Sequence, residues 1–446
     1  MATTYLTKTL PQNHGAVYKW TYSFWVKRSG LGAYQCILGA RLDGNYNGQI
    51  RFDTDDRLEV HDYRTSYLLQ KVTNRKFRDT SAWYHIVVAN DNSVSSPDLK
   101  IYVNGVQETS FSTDNEYSQN ETNSFNNIYP NYIGQKGNGH YFDGSLSHFH
   151  FIDGTAYTAS TFGSTDSTTG EWKINTSPTV TYGDNGFFIL KDGNSLTDQS
   201  PNTNNFTLGG GTLTKTEDNP SNNFATINTL LGADVIGSTV EFSSGNTLAS
   251  DPNGQASGIN PNFISSLGMP SKGKWYCEVQ PASFSTGSGH SIGIYRTKGS
   301  TDDTGEGDLE LNSSKVRYIF ADTSHYIIKY GTNDQTGLSG VSSGETVGIA
   351  LDLDNGTLQY YVNGSARANQ LTGINSANDG FDYFFHAGLE SSSSGRYGIY
   401  KFNFGNGAFG STQLTGTTYN DSQGRGIFKY QPPTNFLALC TKNLNV

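Results

Sequence analysis

Short runs of alternating apolar and polar residues recur along the whole chain, the period-two pattern of strands with one buried face. Trp83-Tyr84-His85-Ile86-Val87-Val88-Ala89 runs, after a gap, into Leu99-Lys100-Ile101-Tyr102-Val103-Asn104-Gly105. Far along the chain, Val347-Gly348-Ile349-Ala350-Leu351-Asp352 runs into Leu358-Gln359-Tyr360-Tyr361-Val362-Asn363-Gly364. Each pair reads as strand, polar turn and second strand, and ends in Asn-Gly. Asn and Gly both tolerate positive φ, so the pair marks a tight hairpin turn. Two such units in separate halves predict two related β-sandwiches in tandem. They move the expected function from chemistry toward surface recognition.

The remaining strand-like runs order themselves around these hairpins. The first half offers the aromatic run Tyr18–Val26, then Gln49–Arg57, Tyr67–Val72, Phe142–Phe151, Gly186–Leu190 and Asn205–Leu208. The second half offers Lys272–Val279, His290–Ile294, Val316–Phe320, His325–Tyr330, Tyr383–Leu389 and Tyr397–Gly405. Between the halves lie Gly209-Gly210-Gly211 and the Thr/Asn-rich stretch that follows, the clearest break in composition. The expected division is an N-terminal arm at 1–15, a first domain at 16–213, a linker at 214–222, a second domain at 223–430 and a tail at 431–446. No run of a dozen residues shows apolar spacing of 3.6. The nearest helix candidate is the short segment Asn262–Leu267 after Pro261. The fold class is therefore all-β: two tandem antiparallel β-sandwiches with minimal helix.

Composition agrees with this. Of 446 residues 13% are aromatic, with 27 Tyr and 25 Phe, while only 16% are charged and 51 are Gly. Aromatic and β-branched residues favour strands, and Gly and Asn favour the turns between them. The net charge of −10 comes without a basic cluster, which argues against nucleic acid as a partner. Three widely spaced cysteines give neither a disulfide framework nor metal-type spacing, and Cys36 and Cys277 are expected as buried thiols. No apolar stretch approaches the roughly 20 residues of a bilayer span, and the first residues lack the apolar core of a secretory signal. No membrane insertion is expected.

The first half resembles laminin-G/concanavalin A-like domains. The matching pieces are Ser23-Phe24-Trp25-Val26, Trp83-Tyr84-His85 followed by Lys100–Gly105, and Tyr132-Ile133-Gly134 followed by Phe142-Asp143-Gly144. The second half resembles SPRY domains in Gly273–Val279, Val347–Asp352 with Asp354-Asn355-Gly356, and Phe402-Asn403-Phe404-Gly405. Their pairing, with the tail from Pro432-Pro433, is similar to virion proteins of tailed phages, particularly marine ones. That resemblance implies a virion protein on the tail or capsid exterior, made in the host cytoplasm without a signal peptide.

Several residue groups are candidates for chemistry. Some concanavalin A-like folds are glycoside hydrolases whose Glu-x-Asp-x-Glu strand sets three carboxylates on one face. Glu306-Gly307-Asp308-Leu309-Glu310 has that spacing, but it lies in the second half, in loop-like sequence, with Gly307 where an apolar residue belongs. An acidic, solvated loop is the expectation there, and no catalytic residue is assigned. Asp43, Asp53 and Asp55, in Asp/Asn/Gly-rich turns, offer hard oxygen ligands for Ca²⁺. Many laminin-G-like domains bind that ion at a sandwich rim. His148 and His150 alternate on one strand and are expected to face solvent or a neighbouring subunit. Sugar binding calls for an aromatic plate beside amide groups, and Asn45, Tyr46, Asn47 and Tyr63 have suitable types in expected loops.

The expected function is a non-enzymatic tail-fibre or appendage adhesin for host-surface carbohydrate, acting as a homo-oligomer among other virion proteins. The alternatives are a head-decoration or head-fibre structural protein and, less favoured, a polysaccharide depolymerase. The terminal arm and the apolar end of the tail are expected to make the inter-subunit contacts.

Overall fold

A computed structural model describes residues 3–11, 18–191, 193, 195–230, 240–255, 261–287, 289–297, 314–322, 324–374, 380–390 and 395–444. The chain divides into two units. Unit 1 runs to Lys215 and takes back Asn219–Ser221, and unit 2 takes Thr216–Asp218 and the chain from Asn222 onward. The crossover is hydrogen-bonded rather than free: Glu217 N–H donates to Asn406 O at 3.1 Å, and Phe224 N–H to the Asp218 carboxylate at 3.1 Å.

Unit 1 holds β1 (Tyr5–Thr9), β2 (Lys19–Arg28), β3 (Gln35–Arg41), β4 (Tyr46–Phe52), β5 (Arg57–Arg64), β6 (Ser66–Lys76), β7 (Tyr84–Asp91) and β8 (Lys100–Val103). It continues with β9 (Val106–Gln107), β10 (Phe111–Asn115), β11 (Pro130–Ile133), β12 (Gly144–Asp153), β13 (Gly163–Thr165), β14 (Trp172–Ile174), β15 (Phe187–Ile189) and β16 (Thr207–Gly210). One sheet has the order β10-β6-β5-β4-β3-β11-β1-β16, the other β15-β12-β2-β7-β8-β9. Alternation turns Leu38, Ile50, Val60 and Leu69 of the first toward Phe24, Val26, Ile86 and Val88 of the second, in one shared core.

Unit 2 holds β17 (Glu241–Ser243), β18 (Leu248–Gln255), β19 (Asn262–Ile264), β20 (Lys274–Phe284), β21 (Gly289–Thr297), β22 (Lys315–Ile319), β23 (Tyr326–Lys329) and β24 (Thr332–Thr336). Then come β25 (Val347–Asp352), β26 (Thr357–Val362), β27 (Ser365–Leu371), β28 (Asp382–Glu390), β29 (Arg396–Asn403), β30 (Ala408–Phe409), β31 (Thr412–Gln413), β32 (Leu437–Ala438) and the single-turn helix α1 (Thr441–Leu444). Its sheets read β17-β18-β29-β20-β25-β26-β27, with β32 parallel to β20, and β19-β28-β21-β22-β23-β24. Trp275, Val279, Ile349 and Phe402 of one sheet share a core with Phe263, Ile292, Val316 and Phe385 of the other.

The two units have one topology. The run β12-β2-β7-β8-β9 matches β29-β20-β25-β26-β27, and β11-β3-β4-β5-β6 matches β28-β21-β22-β23-β24, with the strands in the same chain order. Side chains repeat as well. Lys19 at the start of β2 pairs with Asp91 at the end of β7 (3.1 Å), and Lys274 at the start of β20 pairs with Asp352 at the end of β25 (2.7 Å). The next residues, Trp20 and Trp275, are both buried. Trp83, which opens the first hairpin run in the sequence, is buried too, but Trp20 holds the position that matches Trp275.

Three expectations fail. The arm at 1–15 contains β1, paired on both sides by β11 and β16, with Leu6 and Leu10 in the core; a five-residue run with few apolar residues gives a weak pattern by itself. The tail at 431–446 contains β32, and Ala438, Leu439 and Cys440 are buried in unit 2. Both segments are thus used inside their own units. The helix candidate after Pro261 is strand β19, because pairing with β28 satisfies its backbone where so short a helix would not hold. Among the described residues, helix is limited to α1 and a 3₁₀ turn at Ala159–Thr161.

Candidate functional site

Strand registry on the outward face of the eight-stranded sheet of unit 1 sets three rows of side chains. They are Arg41–Asn47–Tyr63–Tyr67, Gly39–Gln49–His61–Gln70 and Cys36–Arg51–Glu59. Paired residues share a face, so six polar side chains from β4, β5 and β6 meet there. Arg51 Nε donates to Glu59 Oε2 at 2.8 Å, and its Nη2 lies 2.8 Å from the same oxygen. His61 Nδ1 and Gln70 Nε2 meet Glu59 Oε1 at 3.0 and 3.1 Å. Arg51 Nη1 donates to Gln49 Oε1 (3.3 Å), Gln49 Nε2 to Asn47 Oδ1 (2.9 Å), and Asn47 Nδ2 to Gly44 O (3.1 Å).

The floor is rigid and almost closed to water, with Gln49, Glu59 and His61 all buried. Burial would raise the Glu59 carboxyl. The hydrogen bond and charge of His61, with Arg51 and Gln70, outweigh it and hold the group down at about 2. Aromatic rings stand around this floor. Tyr34 lies under the Arg51 guanidinium, 4.4 Å from its ring centre, and stacks on His140 at 5.1 Å. Across the floor, Tyr67 meets Tyr63 edge-on at 5.3 Å and His61 at 5.6 Å. Tyr34 and Tyr67 remain 41% and 47% exposed, among the most exposed large apolar side chains described.

Of the residues expected to bind sugar, Asn47 and Tyr63 lie on this face, in strands rather than loops. Tyr46 pairs with Arg64 one position further, which turns it to the opposite face, against Tyr129. Asn45 sits in the exposed turn before β4, where its N–H donates to Asp43 Oδ1 at 2.7 Å. Tyr34, Gln49, Arg51, Glu59, His61, Gln70 and Tyr67 escaped sequence reasoning; the one available signal was alternation in β4 and β5 with polar residues at every second place.

Of the expected Ca²⁺ ligands, Asp53 and Asp55 meet at one arginine, Arg57, at 2.8 and 3.0 Å, and Asp43 caps its own turn. Among the described residues no group of three or more His, Cys, Asp or Glu side chains is placed to hold a metal ion. Glu306, Asp308 and Glu310 lie outside the described residues.

The outward face of the other sheet is covered. A strap running from Tyr157 to Tyr182 packs Phe162, Trp172 and Tyr182 over it. His148 and His150, expected to face out, are buried beneath: His150 stacks on Phe188 at 3.8 Å and meets Tyr182 Oη at 3.0 Å. A bulge between Ser147 and His150 also breaks their alternation. Trp172 Nε1–H donates to His85 Nδ1 at 3.0 Å, so His85 carries its proton on Nε2 and donates to Ser23 Oγ at 2.9 Å. Unit 2 has its own strap, in which Phe428, Ala438 and Cys440 pack on Tyr276. Here Glu278 accepts Tyr430 N–H (2.8 Å), Lys429 N–H (2.9 Å) and Asn403 Nδ2–H (2.9 Å).

Residues 3–161 match the family model of the concanavalin A-like lectin/glucanases superfamily. No curated protein matches the chain. Solved structures similar to it include the SPRY domain of human HERC1, at 16% identity over 35% of this chain and 87% of that one, TM-score 0.27. Another is a heptameric SAP-like pentraxin from Limulus polyphemus, at 17% identity over 43% of this chain and 87% of that one, TM-score 0.29. A third is domain 4 of the arabinanase AbnA from Geobacillus stearothermophilus, solved with arabinotriose, at 18% identity over 32% and 64%, TM-score 0.26. Likenesses of this size say nothing about a ligand.

Proposed function

We propose that the chain is a non-enzymatic adhesin of a tailed-phage virion, a tail-fibre or appendage protein that grips host-surface glycans with the outer face of unit 1. One observation carries the binding reading: Tyr34, Tyr63 and Tyr67 stand exposed or half-exposed around a rigid floor of amide, guanidinium, carboxylate and imidazole groups. A tyrosine ring covers the apolar face of a sugar, and fixed polar groups satisfy its hydroxyls without reordering. The superfamily match over residues 3–161 and the sequence resemblance to phage virion proteins support the same reading. The SPRY-like second unit supplies a further rigid body.

The chemistry of Glu59 argues for binding rather than hydrolysis. A glycosidase needs two carboxyl groups, one protonated as the acid. Glu59 is ionised far below neutral pH, and Arg51, His61 and Gln70 already occupy both of its oxygens. Single glycan contacts are weak, so the chain acts as a homo-oligomer or in many copies, where linked sites raise avidity by roughly 10²–10⁴. No cofactor is required in this reading.

The test is purified chain against an array of bacterial surface polysaccharides, with Tyr67→Ala in parallel. Binding should weaken about tenfold, the effect of ~1.4 kcal/mol. Equal binding by the variant would remove the site from unit 1. Release of new reducing ends would make the protein a depolymerase, and an intact particle carrying the chain only over its capsid lattice would favour head decoration.

A further inference from the structure

Beside the polar floor stand Arg41 and Lys136, both half-buried. Their placement is built into the backbone. The loop after β11 lies so close on the sheet that a Cβ on Gly39 would sit 2.8 Å from Lys136 Cα. Gly137, at φ +99, brings the same loop over Arg41, where a Cβ would lie 3.1 Å from Arg41 Cδ and 3.0 Å from the Tyr132 ring. Lys136 Nζ ends 3.4 Å from His140 Nε2, and His140 stacks on Tyr34 at the edge of the floor.

This corner has cations without anions. Arg51 is matched by Glu59, but among the described residues no acidic side chain lies within ion-pair distance of Arg41 or Lys136. Burial, then the charges of Arg41 and Arg51, lower the Lys136 ammonium from its usual value. Burial, then Lys136, Arg51 and His61, push His140 down to about 4, so its ring stays neutral at physiological pH. Holding unmatched like charges together is unfavourable, and more so where water is partly excluded. In a chain of net charge −10 such a spot is conspicuous. Gly39 on β3 and Gly137 in the loop, where a side chain would collide or strain the backbone, keep it in place.

We infer that Arg41, Lys136 and His140 form a subsite for an anionic sugar residue, so that the glycan held on unit 1 is an acidic one. The inference rests on the glycan-binding reading and adds the substrate class. The anion of the sugar, a ring carboxylate or an ester sulfate, enters between Arg41 and Lys136 and completes their missing ion pairs. The neutral His140 ring, whose Nε2 lies 3.4 Å from Lys136 Nζ, fixes the ammonium in place beside the anion. Tyr34, stacked on His140, continues the surface toward the Arg51–Glu59 floor.

Three polymers test this by titration calorimetry on the full chain: sodium polygalacturonate, dextran sulfate and neutral dextran. At least one acidic polymer should bind at least tenfold more tightly than dextran, and the advantage should shrink as salt is raised. Preference for polygalacturonate assigns a carboxylate, and preference for dextran sulfate assigns a sulfate. Arg41→Ala/Lys136→Ala, at half-buried surface positions, should fold as the parent by circular dichroism and lose that advantage. Tyr67→Ala should weaken every polymer that binds. Binding of dextran as tight as the acidic polymers, or an undiminished advantage in the double variant, overturns the acidic subsite while the glycan reading stands. Binding of no polymer at all overturns both.

Discussion

The Asn-Gly hairpins of the two units can be laid side by side almost atom for atom. In unit 1 Asn104 Oδ1 accepts His85 N–H at 2.8 Å while Asn104 N–H donates to His85 O at 2.9 Å. In unit 2 Asn363 Oδ1 accepts Thr346 N–H at 3.0 Å while Asn363 N–H donates to Thr346 O at 2.9 Å. The turns have φ of 48° and 82° at Asn104 and Gly105, and 50° and 79° at Asn363 and Gly364. A strap ring lies on each glycine, Trp172 in one unit and Tyr430 in the other. His85 and Asp91 in one, and Thr346 and Asp352 in the other, keep the same spacing. The units differ in what the shared frame carries. On the outer face of the sheet where unit 1 displays tyrosines, Ser291, Lys315, Arg317 and His386 of unit 2 are all buried. They also differ at the clasp beneath the strap, where the matching positions on β2 and β20 hold Ser23 and Glu278. One frame thus leaves Tyr34 and Tyr67 exposed around a buried polar floor in one unit, while the polar side chains of the corresponding face are buried in the other.

The strongest way to break this comparison is to remove the matched tryptophans. Trp20→Ala and Trp275→Ala should each cost about 3–5 kcal/mol and lower the melting transition of their own unit. Differential scanning calorimetry should show the other transition unmoved. A pair of variants that both lowered one common transition would mean that the units do not melt as separate bodies.

The clasps should respond oppositely to pH. Burial pushes the Glu278 carboxyl up to about 7 against the pull of Lys429 N–H, Tyr430 N–H and Asn403. The folded state then holds a proton that the unfolded state has released from about pH 4.5, so this group's contribution falls as pH rises toward 7. Glu278→Gln removes that loss, on the order of 3 kcal/mol between those limits. Burial, then the charge of His148, pushes His85 down to about 3. Its contribution is full above the unfolded value near 6.5 and is lost as pH falls toward 3. Denaturant melts at pH 5 and 7.5 on Glu278→Gln and His85→Gln, each against wild type, measure both slopes. Equal slopes for wild type and Glu278→Gln would show Glu278 to be ionised throughout.

The smallest effect belongs to the hairpin glycines. Gly105→Ala and Gly364→Ala put a Cβ into left-handed backbone and 2.4 Å from the Trp172 ring or 2.7 Å from the Tyr430 ring. Each should cost about 1–2 kcal/mol from the backbone alone, with more for moving the ring. Trp172→Ala should reduce the extra part for Gly105→Ala only, which a double-mutant cycle resolves.

Much of this frame was written in the sequence. Alternation in Ile86-Val87-Val88 and Ile349-Ala350-Leu351, and the Asn-Gly pairs, predict the hairpins because strand period and turn φ are local properties. Composition predicts the all-β class for the same reason. Residues whose role depends on distant partners were not legible. β1 is a strand only because β11 and β16 flank it, and the tail belongs to unit 2 only because β32 lies along β20. Asp53 and Asp55 have the chemistry of Ca²⁺ ligands, but Arg57 is folded against them. His148 and His150 sit on a strand that reads as half-exposed, until the strap from Tyr157 to Tyr182 covers it. The outer face of unit 1 shows the same limit: Asn47 and Tyr63 were picked by residue type, and only strand register sets them in rows with Arg51, Glu59, His61 and Tyr67. Sequence by itself determined which segments are strands and where they turn, since backbone preference and period act over a few residues. Only the tertiary structure decided which outer faces stay open and which charges find partners, because those depend on groups brought together from far along the chain.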